Sequence, residues 1–183
     1  MRHVTLSSET MKLTTGKLVS RVVIASVLTG VGFIASAPFA LVPGAIHWRI
    51  FAFIPCVVGI LWGWKTGFIA GYIGNFLWSL TGYFNVMTLI TDCTAVGLTG
   101  LIPGLLVKPQ ECLSKIGMVK AGIISLISGI IMIPIVSFGM NLIGLAPFWV
   151  FFWLLVPSDL PSMAFTGLAV KFLFREETHR VRF

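Results

Sequence analysis

The chain reads as an all-α integral membrane protein: a six-transmembrane-helix bundle with short helices 2 and 3 and an outer-side lid segment before helix 6. Three observations lead there. Hydrophobic residues make up 57% of the 183 positions and charged residues 10%, with a mean hydropathy of +0.99, a composition foreign to soluble globular domains. Apolar runs near bilayer length recur along the chain, where a straight helix needs about 20 residues to cross about 30 Å of hydrocarbon. Basic residues gather in alternate connections, as they do on the cytoplasmic side of multi-pass proteins.

Residues 1–18 are polar, with Arg2, Lys12 and Lys17, and form a cytoplasmic tail; residues 19–174 form the membrane domain and 175–183 a second charged tail. Helix 1 covers 19–37 and carries small residues four apart: Ala25 with Thr29, Ser26 with Gly30, Gly32 with Ser36. Such a stripe admits another helix closely in lipid, whether from this chain or from a partner. Ala35-Ser36-Ala37 has the form of a signal-peptide cleavage site, but Pro38 follows directly and the apolar run is of span length, so a retained helix is expected. Pro38, Pro43 and Gly44 predict an ordered, non-helical loop over 38–46.

Residues 47–81 predict a hairpin of two short helices, 50–62 and 67–80, folded about Gly63-Trp64-Lys65-Thr66. Each arm is too short to cross the bilayer upright and must tilt or be sheltered by longer neighbours. Helix 4 covers 86–107 with Asp92 two turns in, and Lys108-Pro109-Gln110-Glu111 ends it. Helix 5 covers 116–138. The segment 145–174 exceeds one span and falls short of two, and Pro157, Asp159 and Pro161 predict a division. Its aromatic first part, 147–156, reads as a lid or re-entrant piece, which is tolerated only where protein or a cavity covers the backbone. The second part, 158–174, reads as helix 6.

With both termini cytoplasmic in a multi-pass cell-membrane protein, twelve of the thirteen Lys and Arg residues fall inside and only Arg49 outside. No basic run or basic amphipathic helix points to nucleic acid. Cys56, Cys93 and Cys112 share no metal-ligand spacing and read as small packing residues, and no metal site is expected. Three charges remain on the outer half: Arg49, Asp92 and Asp159, from three different helices. Charge at membrane depth costs about 2.5–3.5 kcal/mol per residue at a helix centre on insertion scales, so it normally faces a partner or a cavity. Either these residues form a structural ion pair or at least one meets a bound solute; two acids for one base leave a carboxylate over. Trp48, Trp78, Tyr83, Trp149 and Trp153 are expected at the same level with Asn75 and Asn141. Flat rings and a few polar anchors in an apolar cavity suit a small heterocycle, although each ring alone fits an interfacial belt.

The stretch Pro55-Cys56-Val57-Val58-Gly59-Ile60-Leu61-Trp62-Gly63-Trp64-Lys65-Thr66-Gly67-Phe68-Ile69-Ala70-Gly71, within a small six-span chain having a small-residue first helix and a proline-containing first outer loop, resembles the substrate-binding S component of energy-coupling-factor (ECF) vitamin transporters. The likeness extends over about residues 17–174. It implies an outward-facing pocket for a vitamin-like ligand, and association with a transmembrane coupling subunit and two ATPase subunits. The family's Ala-x-x-x-Ala docking contact maps onto Ala25 and Thr29, or Ser26 and Gly30. No Walker-type phosphate loop occurs, so ATP would be used by the partner subunits and this chain would carry no cofactor.

Capture of a small heterocyclic micronutrient is therefore the leading reading, with Arg49 facing a carboxylate or phosphate and the two acids holding N–H groups. A stand-alone proton-coupled carrier, a small membrane enzyme using Asp92 and Asp159, and a structural subunit are the alternatives. No inverted repeat favours the carrier, and no nucleophile or diacid motif favours the enzyme.

Overall fold

Within hydrocarbon a backbone must satisfy its own N–H and C=O groups, and this chain does so almost wholly as α-helix. The computed structural model describes residues 15–42, 46–81 and 86–180. In chain order these form α1 (Thr15–Ser36), β1 (Ala40–Val42), β2 (Ile46–His47), α2 (Ile54–Trp62), α3 (Trp64–Ser79), α4 (Val86–Leu106), a 3-10 turn (Pro109–Leu113), α5 (Lys115–Leu142), α6 (Phe148–Met163) and α7 (Thr166–Arg180). Among the described residues four helical stretches are long and apolar enough to cross a membrane: Gly16–Ser36, Leu89–Leu106, Lys115–Leu142 and Phe148–Arg175. The hairpin arms α2 and α3 have 9 and 16 residues, about 14 and 24 Å at 1.5 Å per residue. Neither covers the hydrocarbon alone.

Of the loop expected over 38–46, the described residues are non-helical and include a short antiparallel ribbon that extends to His47, Ala40 opposite His47 and Val42 opposite Ile46. The hairpin turn is tighter than its sequence suggests. Gly63 alone ends α2 and begins α3: at φ +94° it occupies a region open to glycine, and its N–H returns to the Gly59 carbonyl at 3.0 Å.

The expected division at Pro157 does not occur. Helix α6 runs unbroken through Pro157 and Pro161, and the chain turns instead at Ala164 and Phe165 before α7. Each proline removes one helical N–H, but packing on α5 holds the segment. A Cβ added at Gly129 would lie 2.6 Å from Met163 Sδ and 2.7 Å from a Leu160 methyl. The aromatic piece is thus the first part of the helix that carries Asp159, not a separate lid.

Helices α1, α3, α4, α5 and α6 lie side by side in that order, with α2 wedged against α3 and α4. Glycine sets the spacing where α2, α3 and α4 meet. A Cβ at Gly67 would lie 2.5 Å from Gly59 Cα and 2.7 Å from the Gly100 carbonyl, and one at Gly104 would lie 2.7 Å from the Gly59 carbonyl. These are backbone-to-backbone contacts, the close approach that favours association in lipid.

Two measurements test this packing. Gly59→Ala drives a methyl into the Gly100 carbonyl and is expected to destabilise the detergent-solubilised protein by about 1–3 kcal/mol. Gly16→Ala, with open space around it, is the control and should leave the melting temperature unchanged. At the opposite end from the ribbon, Lys120 Nζ donates to Glu111 Oε2 at 2.6 Å. That bond is the largest cause holding the exposed Glu111 carboxyl below its ordinary value. A lowered folded-state value stabilises above the ordinary glutamate range and is lost as pH falls through the lowered one. The wild type should therefore melt slightly above Glu111→Gln at pH 7, and the difference should close on acidification.

Candidate functional site

The C-terminal ends of α1, α3 and α5 meet the starts of α2, α4 and α6 at the ribbon end of the bundle. Arg49 enters the interior from the segment between β2 and α2. Two backbone bonds fix that segment: Trp48 N–H to the Phe39 carbonyl at 2.8 Å, and Arg49 N–H to the Ser158 carbonyl at 3.1 Å. The second ties the chain before α2 directly to the proline-containing part of α6.

The Arg49 side chain is buried between two rings, its Cζ 5.3 Å from the Phe33 ring centroid and 5.1 Å from that of Trp78. Desolvated cation–π contacts of this kind contribute about 2 kcal/mol. Its Nη1 lies 3.8 Å from Asp159 Oδ1, and Asp159 is 0% exposed. At that separation the pair is an ion pair without a hydrogen bond, and among the described residues neither Asp159 carboxylate oxygen has a hydrogen-bond partner. Asp92, buried on α4, lies within the electrostatic reach of Arg49 and accepts from the Thr91 hydroxyl at 3.2 Å. Glycine makes room for it: a Cβ at Gly139 of α5 would fall 3.0 Å from Thr91 Cβ and 3.5 Å from Asp92 Oδ1. Asn75, buried on α3, donates to the Cys93 sulfur at 3.6 Å, while its Oδ1 has no partner.

Arg49, Asn75, Trp78, Asp92 and Asp159 thus all lie in the interior, joined to one another or to shared neighbours. Other expected residues do not join them. Trp149 and Trp153 are 64% and 66% exposed and lie on the outside of α6, in edge contacts with Phe148 and Phe152. Four-residue spacing puts both on one helix face, and that face points away from the bundle. Asn141 is exposed and donates to the Ala146 carbonyl at 3.4 Å, closing the turn after α5. Trp48 is half-exposed and, with Ile50, Phe53, Ser158, Pro161, Ser162 and Phe165, lines an open apolar groove of about 280 Å³ on the outer side of the Arg49 segment. Tyr83 lies outside the described residues.

The small-residue stripe needs a correction. Ala25, Ser26, Thr29 and Gly30 are buried inside this chain. A Cβ at Gly74 of α3 would lie 2.5 Å from Thr29 Cβ, and one at Gly30 would lie 3.1 Å from Leu77 Cβ. The stripe is the α1–α3 contact and is not presented to another subunit. Small residues in lipid mark a close helix contact without saying whose helix it is.

Phe33 is the site residue that sequence reasoning missed. It continues the buried face of α1, three residues beyond Gly30 and four beyond Thr29, and extending the stripe by one turn would have found it. The three cysteines are buried thiols. Among the described residues no cluster of His, Cys, Asp and Glu could hold a metal ion. Comparison with protein-family models, with curated proteins and with solved structures finds no match.

Removing one partner of a buried ion pair typically costs about 3–5 kcal/mol, much of it from the charge left alone. Arg49→Met is expected to lower stability by that amount. Adding Asp159→Asn should recover more than about 1 kcal/mol of the loss, as read from unfolding in detergent; additive losses would show that the two side chains do not act as a pair.

Proposed function

We propose that this chain is the membrane-embedded substrate-capture subunit of an ECF-type importer, and that a vitamin or related small heterocyclic micronutrient binds at the polar layer of Arg49, Asn75, Trp78, Asp92 and Asp159. One observation carries the reading. A layer buried among apolar helices retains hydrogen-bonding capacity that the described residues do not use: Asn75 Oδ1 and both Asp159 carboxylate oxygens lack a hydrogen-bond partner among them. Buried polar atoms are normally satisfied, and exceptions concentrate where another molecule supplies the missing group. Rings at Trp78 and Phe33 hold the Arg49 guanidinium at the same level.

In this reading α1 to α5 and the α6–α7 pair are six membrane segments, with the polar layer toward the outer face and both termini cytoplasmic, as the distribution of basic residues favours. The short arms α2 and α3 insert under the cover of their longer neighbours. A transmembrane coupling subunit and two ATPase subunits would supply the energy, since the chain has no phosphate-binding loop. A second reading, a stand-alone proton-coupled carrier, draws on the same two carboxylates facing one cation, because surplus buried acids also serve proton relays.

The first experiment is gentle extraction of the chain expressed alone, with mass spectrometry of whatever small molecule is released on denaturation. A stoichiometric micronutrient is expected, and Asp92→Ala or Arg49→Ala should release the protein empty. An empty wild type that drives solute uptake in liposomes under an imposed proton gradient would establish the carrier reading instead.

A further inference from the structure

Resting on the capture reading, we infer that the solute is an organic cation carrying N–H donors, and that Asp159 is the group that receives it. The charge inventory of the membrane interior is short and complete in the sequence. Between residues 22 and 64 the only Lys or Arg is Arg49, and none occurs from 66 to 107 or from 121 to 170. Over the same stretches the acids are Asp92 and Asp159. One basic side chain therefore faces two acidic ones in a region where an uncompensated charge is costly.

Arg49 is already committed. Its guanidinium is held between the Phe33 and Trp78 rings and paired with Asp159, and its field also reaches Asp92. An anionic solute would have to compete with two carboxylates for that single cation, and would raise the negative excess of a buried layer. This reverses the expectation that Arg49 faces a solute carboxylate or phosphate. Among the described residues, three oxygens of this layer have no hydrogen-bond partner and all three are acceptors: Asn75 Oδ1, Asp159 Oδ1 and Asp159 Oδ2. Both residues are more than nine-tenths buried, at 2% and 0% exposure, so bulk water does not serve them. A cationic donor satisfies these oxygens and supplies a second positive group for the second acid of the layer.

The test is binding to the purified full chain, by thermal shift and calorimetry, of five probes: thiamin and 1-methylnicotinamide as heterocyclic cations, riboflavin as a neutral ring system, and biotin and pantothenate as anions. A cation is expected to bind at least about tenfold tighter than any neutral or anionic probe. Asp159→Asn should weaken it by about 30-fold or more, the usual consequence of removing one partner of a buried charge pair. The ranking among probes on the wild type needs no variant, so it stands even where Asp159→Asn fails to fold. Tightest binding of an anion, or a cation affinity unchanged in a folded Asp159→Asn protein, overturns the inference and leaves the capture reading intact. Absence of binding to every probe, together with an empty protein after gentle extraction, overturns both.

Discussion

A guanidinium removed from water in the interior of an apolar bundle is the constraint around which this end of the structure is arranged. Arg49 cannot remain there without an opposite charge, polarisable faces and a fixed backbone. The fold supplies each from a different element: Asp159 from α6, Asp92 from α4, Phe33 from α1 and Trp78 from α3. The bond from the Arg49 N–H to the Ser158 carbonyl then fixes where the guanidinium enters. Because these partners come from elements far apart in sequence, the charge acts as a tie across the whole ribbon end of the bundle.

The opposite half of the bundle is held by a different device. Where α2, α3 and α4 meet, backbone touches backbone through Gly59, Gly67, Gly100 and Gly104. Lipid offers no hydrophobic drive to bring helices together, so close van der Waals contact has to do so. The two devices divide the labour: a tight glycine seam without charged groups at one level, and a polar layer with unmet acceptors at the other.

Much of this was legible in the residues. Compositional bias and run length announced helices in a membrane, and the ends of α1, α4 and α5 fell within a few residues of expectation. The charged trio Arg49, Asp92 and Asp159 was visible because ionisable residues are so rare in such a chain. Asn75 and Trp78 were expected beside them on α3 and are buried there. The misreadings share one cause. Trp149 and Trp153, the stripe from Ala25 to Gly30, and the supposed break at Pro157 each required knowing which way a helix face points or what packs beside it.

Sequence alone determined that the chain is helical with several helices apolar enough to cross a membrane, where those long helices run, and how few charges its interior must accommodate. Those properties follow from local quantities: hydropathy summed over a span, helix-breaking residues, and a count of ionisable groups. Only the tertiary structure decided that α1 turns its small residues toward α3, that α6 passes through two prolines, and that Phe33 joins Trp78 around Arg49. In lipid every helix is apolar on all sides, so the amphipathic pattern that tells inside from outside in a soluble protein is missing, and helix rotation is set by contacts between segments distant in sequence.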